Sequence, residues 1–440
     1  MLLGRAHGVK QLAGSHALAG KKVWIPRMSY GSARAFAAAF RSIGVDAECT
    51  PPSDERTREL GAKYTCGEEC YPLKVTLGDF LKLLEQPGVD PNQVAFFMPT
   101  ARGPCRFGQY APYIRRVLAS NGYPEAMVLS SNGAMGYSDL GELAGVFVRT
   151  GWRTLVAADI LLKLLLKTRP YERESGSADA VYEACLDDLC RTLEVAYRNA
   201  GEQLEAVKDS LLQARARFRT LAARYERERP LVGIVGEIFC RLNTFSNDEI
   251  VRRLEESGCE VWMSDIAEWI WYTNAEQLQA LRREGRARSW STLRAKLRAR
   301  FQKRDEWELG EVFRQDFRGY EEPEDIAEVL HYAEPYLPTW GASGEMVVNV
   351  GRAVYLAKKG VDGVLDISPF TCMNGIVCEA IYPRVSADLG GIPIRNFYFD
   401  GTQSDLDRDI AIYVELACSY RARKPHCRIY PDYFSRAANL

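Results

Sequence analysis

The sequence predicts an α/β protein made of two parallel-sheet units separated by a helical region. Three observations predict it. Short apolar runs alternate with helical periodicity over residues 22–138 and again over 230–440, the pattern of parallel strands covered by helices. Between them, residues 139–229 keep helical periodicity and hold no convincing strand. The chain has 440 residues, more than one small core absorbs, and calls for two or three domains.

Each element follows in order. Residues 1–21 read as an N-terminal tail. Residues 22–29, KVWIPRMS, read as a strand, 31–43 as an amphipathic helix, 45–50 as a strand and 52–62 as a helix. The stretch KYTCGEECYPLKVTLGDFLKLLE is a loop that enters a helix near Pro72, because proline suits a first turn. A strand at 94–98 runs into the loop PTARGPCRFGQY, then a helix at 109–120 and a strand at 126–130. In the helical region the apolar stretch 155–166 is interrupted by Asp159 and Lys163 and is too short to span a bilayer. A basic helix, QARARFRTLAARYERERP, stops at Pro230. The second unit reads as strand 231–238, helix 247–257, strand 260–264 and a helical insertion at about 275–340, arginine-rich and helical over 275–317. It closes with helix 345–359, strand 363–367, helix 373–389, strand 392–399 and helix 405–422.

Formal net charge is −1, so no global field draws nucleic acid or an anionic membrane, and neither partner is expected. The first twenty residues lack the continuous apolar core of a signal peptide. The chain holds 12 cysteines but is large enough to stabilise itself by burial, which predicts a reducing cytoplasm and not a disulfide scaffold. The only histidines are His7, His16, His331 and His426, a poor supply for histidine catalysis or a histidine-rich zinc site.

Six cysteines stand where open α/β sheets bind ligands, beyond strand ends and beside helix N-termini. Cys66 and Cys70 lie in YTCGEECYP, and Cys105 follows the strand at 94–98. Cys240 in GEIFCRLNTFSND follows the strand at 231–238, and Cys372 and Cys378 in DISPFTCMNGIVCEA follow the strand at 363–367. Two facing units would bring all six toward one cleft, where helix N-termini favour the metal-binding thiolate. There is no Cys-x-x-Cys knuckle of a zinc site and no tight ferredoxin run. Thiolates from distant loops suit an iron–sulfur cluster, but spacing alone leaves a set of plain core thiols equally open. Cys49, Cys259, Cys185, Cys190, Cys418 and Cys427 read as structural.

The segments YTCGEECYPLKVTLGDFL, FFMPTARGPCRFGQY, VGIVGEIFCRLNTFSNDEIVRRLEESGCEVW and SPFTCMNGIVCEAIYPR with IPIRNFYFDGTQSD resemble the 2-hydroxyacyl-CoA dehydratase superfamily. Within it they resemble the branch of activase-type large proteins and double-cubane cluster proteins. The likeness runs over residues 22–422. It implies two Rossmann-like domains with an oxygen-sensitive iron–sulfur cluster in the interdomain cleft. It implies as electron donor a separate homodimeric ATP-hydrolysing reductase, the activator, with its own [4Fe-4S] cluster. In the dehydratases the electron makes a ketyl radical from a 2-hydroxyacyl thioester; in the double-cubane branch an [8Fe-9S] cluster reduces small molecules. Cys70, Cys105 and Cys372 match the family's cluster cysteines, whereas Cys66, Cys240 and Cys378 depart from it. The latter three either complete the six ligands of a double cubane or are small residues that leave a [4Fe-4S] cluster with one open iron. The place of Cys240 after a strand end leans toward six.

The leading function is thus the catalytic iron–sulfur component of an ATP-dependent two-component low-potential reductase, an oxidoreductase of a small-molecule substrate, with a homodimer expected. The alternatives are a 2-hydroxyacyl-CoA dehydratase component, a lyase with one [4Fe-4S] cluster, and a non-catalytic electron-transfer or cluster-assembly subunit. No Gly-x-x-x-x-Gly-Lys-Ser/Thr loop is present, HALAGKK lacks its spacing, and YFDGTQSD reads as a strand-to-helix turn, so ATP hydrolysis falls to the partner. Arg102, Arg106 and Arg241 flank the thiols and would offset negative charge, with Glu68 and Glu69 as pairing candidates. Asn243 and Ser246 are expected to cap the helix near 247, and Tyr71 and Phe107 to exclude water. The run RREGRARSWSTLRAKLRARFQKR, residues 282–304, reads as a solvated basic arm, or else as a docking surface for an acidic partner or a CoA phosphate.

Overall fold

The first unit places β1 (Lys22–Ile25), α1 (Tyr30–Arg41), β2 (Ala47–Cys49), α2 (Glu55–Lys63), α3 (Tyr71–Leu84), β3 (Val94–Phe97), α4 (Tyr110–Ser120) and β4 (Met127–Leu129) in chain order. Its sheet is parallel, in the order β2-β1-β3-β4. The computed structural model describes residues 18–101, 103, 105–130, 144–341, 344–402 and 405–436. The tail at 1–21 therefore lies outside the described residues up to 17, as does Arg102. Strand β3, VAFF, is buried along its length because helices cover both faces. Its side chains alternate between them: Phe96 stacks on Phe80 of α3 at 4.0 Å, while Phe97 meets Phe36 of α1 at 5.4 Å. Helix α2 starts at a capping box between Asp54 and Thr57. It lies so close to α3 that a Cβ on Gly78 would fall 2.0 Å from the Thr57 carbonyl oxygen.

Three helices follow: α5 (Ala144–Thr168), α6 (Ser177–Glu194) and α7 (Ala200–Thr220). The 25 residues of α5 span about 38 Å at 1.5 Å each, enough to touch both units. Phe147, near its start, packs on Phe40 of α1 at 4.3 Å. Its later residues Leu155, Leu162 and Leu166 join the core of the second unit. The interrupted apolar stretch 155–166 is thus a shared bridging helix. Among the described residues no helix is long and apolar enough to cross a membrane.

The second unit contains β5 (Leu231–Gly236), α8 (Ile238–Leu242), α9 (Ile250–Glu256), β6 (Glu260–Met263), α10 (Ile266–Arg283), α11 (Trp290–Glu311), α12 (Ile326–Ala333), α13 (Met346–Lys358), β7 (Gly363–Pro369), α14 (Met373–Asp388), β8 (Ile394–Phe399), α15 (Leu406–Arg421) and α16 (Tyr433–Arg436). Its parallel sheet has the order β6-β5-β7-β8. All eight expected strands form, so the two-unit α/β reading holds.

The helical insertion departs from expectation. Helix α10 begins at Ile266, nine residues before 275, because it is the segment that leaves β6 directly. Gly285, at φ 70°, breaks the expected single stretch, and Ser289 caps α11. Helix α9 starts at Ile250, not 247, since Asp248 and Glu249 both take left-handed backbone. Gly236 ends β5 at φ 119°, where an added Cβ would sit 2.2 Å from the Ile367 carbonyl oxygen. Only glycine lets the chain turn there toward Glu237.

Candidate metal centre

The sequence puts Cys70, Cys105 and Cys372 at equivalent local positions. Cys70 is the N-cap of α3, with Pro72 in the first turn. Cys105 is the N-cap of the 3-10 turn Arg106–Gln109, which runs into α4. Cys372 is the N-cap of α14. A helix N-terminus concentrates unpaired amides and a partial positive charge, which works against the burial that raises each of these thiols.

One side chain ties the three loops together. The Arg106 guanidinium donates to the Glu68 carbonyl at 2.5 Å, and to the Thr371 carbonyl at 2.9 Å and hydroxyl at 3.2 Å. Loops from the first unit and the second are thus joined beside Cys70, Cys105 and Cys372. Thr371 holds φ 65°, a left-handed conformation that a β-branched residue rarely accepts. A second link between the units is Asn243, whose Nδ2 donates to the Arg27 carbonyl at 2.7 Å. Tyr71 and Val75 of α3 belong to the second unit's core, beside Cys240.

Charge defines the rest of the site. Burial pushes the Cys105 thiol up to about 11, and the Glu345 and Glu237 carboxyls add to it. Burial and the same two carboxyls raise Cys372 too, while the Gly375 and Asn374 amides favour its thiolate. Cys70 is raised by burial and drawn back by the Tyr110 hydroxyl and Arg106. Cys240 is held well above its usual range by burial, then by Glu237, Cys372 and Cys70. Glu345 itself is pushed up to about 8 by burial and by Glu237, against Arg241 and the Ile238 amide. Glu237 accepts from the Cys240 amide at 2.8 Å and the Phe239 amide at 3.1 Å. Arg241 is buried, donating to the Gly236 carbonyl at 3.0 Å and the Asp265 carbonyl at 3.3 Å.

The other three cysteines differ. Cys66 is exposed, its amide bonded to the Glu69 carboxylate at 2.9 Å. Cys240 and Cys378 are both 0% exposed. The Cys378 thiol donates inward to the Met346 carbonyl at 3.7 Å, and its charge feels Asp366 and Cys372. Cys185, Cys190 and Cys259 are core residues, Cys49 is half-buried, and Cys418 and Cys427 are exposed.

Two expectations are corrected. Among the described residues neither Glu68 nor Glu69 pairs with an arginine; Arg106 takes the Glu68 carbonyl, because the tight loop offers its backbone first. Asn243 does not cap α9. Its Oδ1 accepts from the Ser246 amide at 2.8 Å, which fixes the preceding turn. Phe107 packs against the core that holds Cys70, edge-on to Tyr110 at 5.3 Å, and Tyr71 belongs to the core that holds Cys240. Glu237 and Glu345 escaped the sequence reading. The first had a signal, an acid directly after an apolar strand; the second had none.

Among the described residues no three His, Cys, Asp or Glu side chains are drawn together as ligands of a single ion. The thiols feel one another's charge without meeting at a point. Soft donors at three helix N-termini, with two carboxyls and few cations around them, fit a cationic multinuclear group better than a lone ion. The chain matches no family model and no curated protein.

Proposed function

We propose that this chain is the catalytic iron–sulfur component of an ATP-dependent two-component enzyme. Cys70, Cys105 and Cys372 would hold one [4Fe-4S] cluster, and a separate ATP-hydrolysing [4Fe-4S] protein would supply electrons. The observation that carries the reading is that Arg106 joins the loops that lead into three N-cap thiols from two units. The resemblance of the surrounding segments to 2-hydroxyacyl-CoA dehydratases supports it. Bound there, the cluster would supply one-electron reduction at low potential and an open iron.

The chain's own residues have separable tasks. Helix N-termini stabilise the thiolates, and the Arg106 cation offsets their charge. Tyr71 and Phe107 exclude water. Glu345, raised to about 8 by burial and by Glu237, keeps a proton near neutrality and would be the acid for a departing oxygen. This arrangement favours loss of water from a small hydroxylated thioester, in a cytoplasmic homodimer.

A second reading is the double-cubane reductase with an [8Fe-9S] cluster on all six thiols. The electrostatic reach of Cys240 to Cys70 and Cys372, and of Cys378 to Cys372, favours it. Inward bonding of Cys378 and exposure of Cys66 weigh against it. Iron, sulfide and zinc assayed per chain on protein purified without oxygen separate the two. About four irons support the dehydratase reading, about eight with excess sulfide the reductase. Neither iron nor sulfide after reconstitution defeats both.

A further inference from the structure

Helix α11 is built inside out. Its inward side is largely polar: Thr292, Gln302 and Asp305 are buried there, with Ala295 and Leu309 the apolar residues among them. Asp305 pairs with Arg153 of α5 at 2.7 Å, the Gln302 carbonyl accepts from the Trp152 indole at 2.9 Å, and the Gln302 side chain accepts from Asn274 at 2.9 Å. These bonds fix the helix on the body of the protein. Its outward side carries Trp290, Leu293, Leu297, Phe301 and Trp307, with Trp290 78% and Trp307 64% exposed. The first four recur at three- and four-residue steps and so lie along one line. The outward face is thus more apolar than the inward one, the reverse of an ordinary surface helix.

Cations interleave with that line. Arg294, Lys296 and Arg300 are exposed, stand at the same steps from its members, and form no ion pair among the described residues. The run 282–304 holds ten basic residues and one acidic residue, Glu284. A solvated arm needs no exposed tryptophans, and an apolar patch of this kind marks an interaction site. Tryptophan and arginine are also the side chains that anchor protein interfaces.

We infer that the outward face of α11 docks a protein partner presenting an acidic amphipathic helix, its carboxylates spaced among apolar side chains. Charge complementarity selects that occupant. A second copy of α11 would set cations against cations. A helix lying in a bilayer segregates its charges from its apolar face, whereas these arginines run through it. The inference is independent of the metal centre.

The test uses the full chain and a synthetic peptide helix carrying leucines at three- and four-residue spacing with glutamates between them. Its glutamine counterpart, single-stranded oligothymidine and phosphatidylserine–phosphatidylcholine vesicles are the comparisons. The expected result is saturable binding of the glutamate helix, with a blue shift of tryptophan emission that W290F diminishes. Binding weakens about tenfold or more with the glutamine helix, or with the R294E/K296E/R300E variant. Unchanged circular dichroism of that variant guards against misfolding. Absence of saturable binding, or equal binding of the glutamine helix, overturns the inference. Tighter binding of the oligonucleotide or the vesicles overturns it in favour of those polyanions. Self-association of the chain that L297E abolishes overturns it in favour of a second copy.

Discussion

The two sheets share one strand order, β2-β1-β3-β4 and β6-β5-β7-β8, and each sends a cysteine beyond its third strand in sequence. Cys105 follows β3 and Cys372 follows β7. What surrounds the two thiols differs. In the first unit the neighbours are a glycine-rich loop, the aromatic rings of Phe107 and Tyr110, and Cys70. In the second they are buried charges. Beyond burial, Glu237 and Glu345 raise Cys372, Asp366 accepts from Ser368 at 2.7 Å and Tyr382 at 2.6 Å, and elsewhere in the unit Arg352 is 0% exposed between Glu322 and Glu268. One topology thus serves two purposes: the first unit packs its own aromatic rings around its thiols, and the second adds the carboxyls that act on Cys105 and Cys372 alike.

The largest effect expected from this comparison is on iron. C105S and C372S should each lower iron retained after anaerobic reconstitution by at least about tenfold, and equally. Loss in C372S alone would break the equivalence of the two positions. C66S should retain iron, as should C378A, if three thiolates suffice.

The next effect is on stability. R352M leaves buried Glu268 without its guanidinium, while half-buried Glu322 keeps Lys163, and should cost about 3–5 kcal/mol in denaturant unfolding. In the first unit, Asp79 is a buried carboxyl that accepts from Thr57 and Ser53, both at 2.7 Å. Its neutral replacement D79N should cost only about 1 kcal/mol. Equal costs would mean that the second unit's charges carry no special load.

A smaller effect sharpens the contact between the units. R106Q removes the bonds to Glu68 and Thr371. Alkylation of Cys70 and Cys105 by a maleimide in the metal-free protein should quicken severalfold, with little change in melting temperature. Unchanged alkylation would show that the loops hold their places without Arg106.

The smallest effect is a pH dependence. The folded Glu345 carboxyl titrates near 8, above its ordinary 4.5, so the folded chain holds a proton that the unfolded chain releases. That contribution is fully present below about 4.5 and is lost as pH rises through about 8. The melting temperature of E345Q should therefore fall less between pH 5 and pH 8 than that of the parent. Asp265, raised by burial to about 7, adds a slope of the same sign that E345Q leaves in place. Parallel profiles would remove Glu345 from the set of proton-holding groups.

Much of this was legible in the chain. Apolar runs such as LVGIVG and VAFF placed the central strands, because a parallel strand there is buried on both faces and needs no partner pattern to declare itself. Loop cysteines beside Pro72 and Pro369 placed the N-cap thiols Cys70 and Cys372, because caps are local, but the same reading put Cys240 and Cys378 at helix starts, and these lie inside α8 and α14. The break at Gly285 and the early start of α10 were not legible, since a helical pattern continues through both.

By itself, then, the sequence determined which segments become strands and most helices and that thiols gather near strand ends, for those depend on neighbours a few residues away. Only the tertiary structure decided that Arg106 would bridge the loops of Glu68 and Thr371, 38 and 265 residues off. It alone decided that Glu345 would meet Glu237, and that α11 would turn its tryptophans outward. Those outcomes depend on which distant surfaces pack together, and on the burial that packing imposes on charge, neither of which a local pattern encodes.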